Sequence, residues 1–157
     1  MPAAPAELWR ISDFTELNGE GGLFYSARWN TIGHPIVYLA ESSAGALLEV
    51  LVHLELEDTD LPQPYNLLRV TVPSEIVIEK LHLPDNPSWK RNEPMTQAIG
   101  DEWLESTRTA LAEVPSVIMP ATRNYLLNPR HPEAKRFQIA SVTRAEFDPR
   151  LLRKLIP

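Results

Sequence analysis

The segment ESSAGALLEVLVHL, Glu41 to Leu54, is the stretch on which the reading of the fold turns. From Ala44 onward its apolar side chains, Ala44, Ala46, Leu47, Leu48, Val50, Leu51, Val52 and Leu54, cover every face of a helix. A helix apolar all round is expected to be buried. Ser42, Gly45 or Ala46, Glu49 and His53 recur at spacings of three and four, so one narrow side of this element is small, polar and ionisable. Glu49 is therefore expected in a dry place. An unpartnered carboxylate there is costly, and the usual outcomes are protonation, a bound cation, or a ligand that completes the pairing. Such a hidden carboxylate is a candidate catalytic group.

Around this helix, 157 residues suffice for one compact domain with a single core, and one domain over residues 1–157 is expected. The absence of cysteine removes thiol nucleophiles, thiolate metal clusters and disulfides. No apolar run reaches the roughly 18 to 20 residues of a membrane span, and MPAAPAELWR lacks the pattern of a secretion leader, so a soluble cytoplasmic protein is expected. A formal net charge of -6 with no basic run argues against direct nucleic-acid binding. Fifteen prolines point to short elements with rigid connections rather than a helical bundle.

Along the chain, ELWRIS at Glu7 to Ser12 reads as a strand whose Arg10 points opposite to Trp9 and Ile11. NGEGG at Asn18 to Gly22 is a glycine-rich loop that can approach a ligand closely or merely turn; it lacks the strand and helix that a phosphate-cradling loop requires. FYSARWNTIGHP sets Arg28 among aromatic and apolar residues, and IVYLA, Ile36 to Ala40, is a buried-type strand bearing one phenol, Tyr38. After the helix come the acidic loop LELEDTDLPQP and strands in Tyr65 to Pro73 and Glu75 to Leu81. An amphipathic helix with an ordinary charged face is expected over Met95 to Ala112, then a strand over Val114 to Pro120 interrupted by Ser116. The block NYLLNP at Asn124 to Pro129, a strand around FQIASV and a last helical turn near DPRLLRKL close the chain. Strands outnumber helices and often follow one another directly, so the pattern predicts an α+β fold, a mixed β-sheet core packing one buried helix.

Arg28, Tyr38, Glu49 and Ser116 are polar residues inside apolar segments, and their types select among reactions. No G-x-S-x-G elbow is present for acyl transfer, and the four histidines, at 34, 53, 82 and 131, are too dispersed for a hydrolytic metal site, so no metal is expected. An arginine, a phenol and a sequestered glutamate suit a ligand with phosphates, a flat ring and a bond whose breaking leaves positive charge on a sugar carbon. Release of nicotinamide from NAD is the natural instance. The same residues also suit a satisfied core ion pair, and the chemistry alone leaves both readings open.

The string RWNTIGHPIVYLAESSAGALLEVLVHL from Arg28, together with VPSVIMPATRNYLLNP, closely resembles the RES domain of bacterial toxin–antitoxin modules. The similarity runs from LWRI at Leu8 to the turns near residue 130. One departure is FYSA before Arg28, where family members often carry glycines. The resemblance implies a fold similar to the diphtheria-toxin type of ADP-ribosyltransferase and a toxin that consumes NAD as substrate, with no separate cofactor. It further implies an NADase, an NAD phosphorylase or a mono-ADP-ribosyltransferase acting on a protein; the alternative is a silent module that binds NAD or the antitoxin. Its implied partner is an Xre-like antitoxin, with a homodimer inside that complex. Carried over by position, Arg28 would bind the phosphates, Tyr38 would stack near the nicotinamide, Glu49 would serve the ribose and the developing cation, and Ser116 would line the pocket. Arg10, His53 and Asn128 are further candidates for NAD binding.

Overall fold

In a computed structural model of the protein, the described residues are 3–53 and 63–152. In chain order they form β1 (Glu7–Ile11), α1 (Gly21–Phe24), β2 (Val37–Ala40), α2 (Ser43–His53), β3 (Tyr65–Thr71) and β4 (Ile78–Lys80). Then follow α3 (Glu93–Ser106), β5 (Leu111–Pro115), β6 (Arg123–Leu127), β7 (Gln138–Ala145) and α4 (Pro149–Leu152). Two 3₁₀ turns, Pro87–Arg91 and Pro132–Arg136, each begin with the proline that helical starts favour. The strands form one seven-stranded mixed sheet in the order β4-β5-β6-β2-β1-β3-β7. All neighbours are antiparallel except β4 and β5. The expected α+β class is what the structure has. Between β1 and β2 the ladder consists of a single register pair, Trp9 with Ala40, whereas β2 and β6 share four.

Strict alternation gives the central strands two buried faces, as a sheet covered on both sides requires. On one face Val37 and Leu39 of β2, Leu111 of β5, and Tyr125 and Leu127 of β6 join Leu8, Val70 and Phe137. On the other, Leu126, Ala112 and Val114 pack with Trp29, Ile36, Trp89, Trp103 and Leu104, and Tyr38 lies half-buried against them. Each fully buried Leu in these clusters contributes about 1.5–3 kcal/mol relative to exposure.

Two expectations about helices are corrected. α2 is not buried all round: among its described side chains Ala46 alone is buried, and Val52 and His53 are exposed. One side of α2 packs on β1 and β2, and a flat sheet covers one side of a helix whatever the others carry. Ser42, read as part of the polar side, caps the helix, its hydroxyl accepting from the Gly45 N–H at 2.9 Å. The more deeply embedded helix is α3, with Thr96, Gly100, Trp103 and Leu104 buried. It ends at Ser106, not Ala112, because Thr107 takes a left-handed conformation (φ 50°) and the apolar run from Leu111 is needed as β5. The acidic loop over residues 54–62, and the chain beyond residue 152, lie outside the described residues.

Candidate active site

Arg28 sits in a short segment that four side chains outside it hold by its backbone. From the sheet, the Tyr38 hydroxyl accepts from the Trp29 N–H at 3.1 Å and donates to the Asn30 side-chain carbonyl at 2.5 Å. Asn30, 1% exposed, passes the support on by donating from its amide to the carbonyls of Tyr25 and Thr31. From α3, Gln97 donates to the Ala27 carbonyl at 2.9 Å, Thr96 to the Arg28 carbonyl at 2.7 Å, and Asp101 accepts from both the N–H and the hydroxyl of Thr31. The helix comes this close because Gly100 has no side chain: a Cβ there would lie 1.8 Å from the Trp29 carbonyl oxygen. The face of α3 read from sequence as an ordinary charged face is thus a clamp on residues 27–31.

Within this braced segment the Arg28 guanidinium is not itself satisfied. Its Nη1 is buried and makes no hydrogen bond. A buried, unpaired cationic donor is expensive, and such groups mark places where a ligand supplies the missing acceptor. Burial raises the pKa of the neighbouring Tyr38 hydroxyl, against the opposing effects of the Trp29 N–H and of Arg28. Tyr38 therefore stays protonated and both its hydrogen-bonding roles are occupied, so the phenol is a strut and not an acid or base.

Glu49, from α2, stands in a second group. Its Oε1 accepts from the Ser116 hydroxyl at 3.0 Å and from the Asn124 amide at 2.8 Å. Ser116, 5% exposed, is itself oriented: its oxygen accepts from the N–H groups of Ile118 and Met119, which leaves its proton for Glu49. This serine is consequently held in place as a donor to the Glu49 carboxylate. Asn124 Oδ1 is buried without a partner. The register places the two groups on one face of the sheet: Ala40 pairs with Asn124 and Tyr38 with Leu126, so Tyr38 and Asn124 project to the same side from adjacent strands. Arg28 Nη1 and Asn124 Oδ1 are a donor and an acceptor, each waiting for its complement.

Of the seven residues singled out from sequence, four fall into these two groups: Arg28 with Tyr38, and Glu49 with Ser116. The other three do not. Alternation along β1 sends Arg10 to the opposite face, with Leu8; there its Nη1 donates to the Glu16 carbonyl at 3.3 Å and burial lowers its pKa. His53 is exposed at the end of α2. Asn128, 1% exposed, serves the fold: its amide donates to the Leu104 carbonyl and its carbonyl accepts from the Arg130 N–H. Asn30 and Asn124 were missed. For Asn124 a signal was available, since it stands beside the apolar run Tyr125–Leu127; for Asn30, in a turn, none was. A separate groove of about 550 Å³, flanked by Glu16, Asn18, Arg130 and Lys135, shares no residue with either group. Among the described residues no set of three or more His, Asp or Glu side chains is arranged to hold a metal ion, and no helix is long and apolar enough to cross a membrane.

Comparison with known proteins identifies the family. A family model described as the RES domain matches residues 7–148. A protein of Pseudomonas putida named Toxin Res is 44% identical over 143 residues, covering 90% of this chain and 95% of its own. A protein of Sphingobium sp. named Prs ADP-ribosylating toxin is 38% identical over 157 residues, covering 93% and 96%. Among solved structures, the M. tuberculosis MbcT–MbcA toxin–antitoxin complex contains a chain with the same fold (TM-score 0.74, 18% identity, 98% of this chain and 90% of that one). With a family match across nearly the whole chain and relatives of this identity and coverage, the protein belongs to the RES domain family.

Proposed function

We propose that this protein is the toxin of a toxin–antitoxin pair and that it breaks the nicotinamide–ribose bond of NAD, depleting the cell of the dinucleotide. Two observations carry the reading: a buried, unpartnered guanidinium nitrogen on Arg28, and a carboxylate on Glu49 whose Oε1 is pinned by two donors. The first suits a phosphate oxygen, the second a sugar that turns cationic. The curated relatives named Toxin Res support the toxin role, and the solved toxin–antitoxin complex supports a protein antitoxin as partner.

In the chemistry proposed, the C1′–N bond of the nicotinamide riboside breaks, its electron pair stays on the ring nitrogen so that nicotinamide leaves as a neutral pyridine, and positive charge develops on the ribose. Glu49, fixed by Ser116 and Asn124, stabilises that charge without having to reorient. An acceptor then attacks C1′, forming the new bond to the ribose and releasing its proton to solvent. Arg28 holds the diphosphate, and its braced backbone fixes where the sugar lies. Nη1 of Arg28 and Oδ1 of Asn124 are both closed to water in this structure.

A second reading, transfer of ADP-ribose to a protein side chain, is favoured by the relative named Prs ADP-ribosylating toxin. One experiment separates them. Purified protein is incubated with NAD, with and without phosphate, and products are followed by mass. Free nicotinamide with ADP-ribose or its phosphate ester supports hydrolysis or phosphorolysis; nicotinamide release only when an acceptor protein is added, with a matching mass gain on that protein, supports transfer. No release under any of these conditions overturns the proposal.

A further inference from the structure

The acceptor left open on Asn124 is unlike the rest of the site, because it cannot be attributed to the side chain facing either way. Were the amide turned over, its oxygen would lie against the Glu49 carboxylate at 2.8 Å, two acceptors in contact, so the hydrogen-bond network assigns Nδ2 to Glu49 and leaves Oδ1 as the inner, unbonded atom. A buried amide carbonyl without a donor has lost its water and gained nothing in return, so a bound molecule that offers a hydroxyl or N–H there is recognised by it. Its position narrows the choice. Asn124 holds the same carboxylate oxygen that Ser116 holds, so whatever reaches Oδ1 lies alongside Glu49, where the proposed chemistry puts the ribose.

We infer that Asn124 is a specificity-determining residue: its carbonyl accepts a hydrogen bond from a ribose hydroxyl of the dinucleotide while its amide keeps Glu49 set for the same sugar. The inference rests on the reading of the protein as an NAD-cleaving toxin and extends it, since neither Arg28 nor Glu49 alone requires the sugar to carry both hydroxyls. A site built to hydrogen-bond a hydroxyl rejects the analogue lacking it far more strongly than an apolar pocket rejects a missing methylene. Removing the acceptor should therefore relax the choice of sugar, not merely slow the reaction.

The test compares wild-type protein, Asn124→Leu and Asn124→Asp on NAD and on two analogues lacking the 2′ or the 3′ hydroxyl of the nicotinamide ribose. Both kcat/KM for nicotinamide release and the dissociation constant by calorimetry are measured, and a thermal melt checks each fold. The wild type is expected to discriminate against one analogue by about tenfold or more, the equivalent of about 1.4 kcal/mol, and Asn124→Leu to lower that ratio below about threefold. Asn124→Asp keeps the shape but faces Glu49 with a second carboxyl, so its kcat/KM relative to wild type should rise as pH falls and the pair comes to share a proton. Equal discrimination by wild type and Asn124→Leu, or a pH profile of Asn124→Asp parallel to wild type, overturns the inference. Cleavage of NAD with no loss of sugar selectivity sinks the role of Asn124 alone; binding with selectivity but no cleavage sinks the chemistry alone; neither binding nor cleavage sinks both.

Discussion

The Tyr38 hydroxyl is bonded to the backbone N–H of Trp29, at 3.1 Å, so the strand that floors the site also fixes the segment that carries Arg28. Tyr38→Phe leaves that N–H and the Asn30 carbonyl without their partner. The expected cost is about 1–3 kcal/mol in denaturant unfolding. NAD affinity should weaken as Arg28 loosens, while the pH dependence of activity stays that of the wild type, since the protonated phenol takes no part in proton transfer. A shifted pH profile in this variant would show that the phenol does more than brace.

Glu49→Gln keeps the shape of the side chain and an oxygen able to accept from Ser116 and Asn124, but removes the negative charge. Nicotinamide release should fall by about 10²-fold or more with little change in melting temperature. Glu49→Leu, by contrast, strands both donors and should be destabilised. If Glu49→Leu were the more stable protein, the carboxylate would be a structural burden and not a working group.

Gly100→Ala puts a methyl group into the Trp29 carbonyl, and neither α3 nor the clamped segment can yield without breaking the bonds from Thr96, Gln97 and Asp101. A loss of about 1–3 kcal/mol or more is expected, together with weaker NAD binding. Ordinary stability with intact binding would mean the helix and segment separate easily.

His34 ties the end of the same segment to α3, its Nε2 2.9 Å from a Glu105 oxygen and its Nδ1 3.4 Å from Asp101. The hydrogen bond to Glu105 holds its pKa above the ordinary histidine value. A pKa raised on folding contributes stability that is fully present below the unfolded value of about 6.5 and is lost as pH rises through the folded value. The melting temperature of the wild type should therefore exceed that of His34→Gln most at about pH 5.5, with the gap shrinking toward about pH 8.5. A gap that widens with pH would contradict the sign.

Much of this site could be read before the fold was known, and what could not has physical reasons. Glu49, Arg28 and Ser116 stand out because a charged or hydroxylated side chain in an apolar run needs a partner, and that need is visible in one dimension. Tyr38 was legible as a residue but not as a strut, since its bond to Trp29 depends on how a turn folds back. Arg10 carried the right charge on the right strand, yet the parity of β1 turns it to the other face, and parity relative to a neighbour is settled only by register. α2 was misjudged because periodicity reports which side chains are apolar, not how many surfaces exist to receive them. α3 was misjudged in the converse way: Thr96, Gln97, Gly100 and Asp101 look solvated until the backbone of residues 27–31 arrives against them.

The single rung between Trp9 and Ala40 joins two half-sheets, β4-β5-β6-β2 and β1-β3-β7, and α2 with Glu49 begins just past it. Elastic compliance in such a plate gathers where the fewest crossties span it. The amides along this join should trade their protons for deuterium sooner than those between β2 and β6, and a dinucleotide lodged beside Glu49 should slow that trade by stitching the plate's two leaves together.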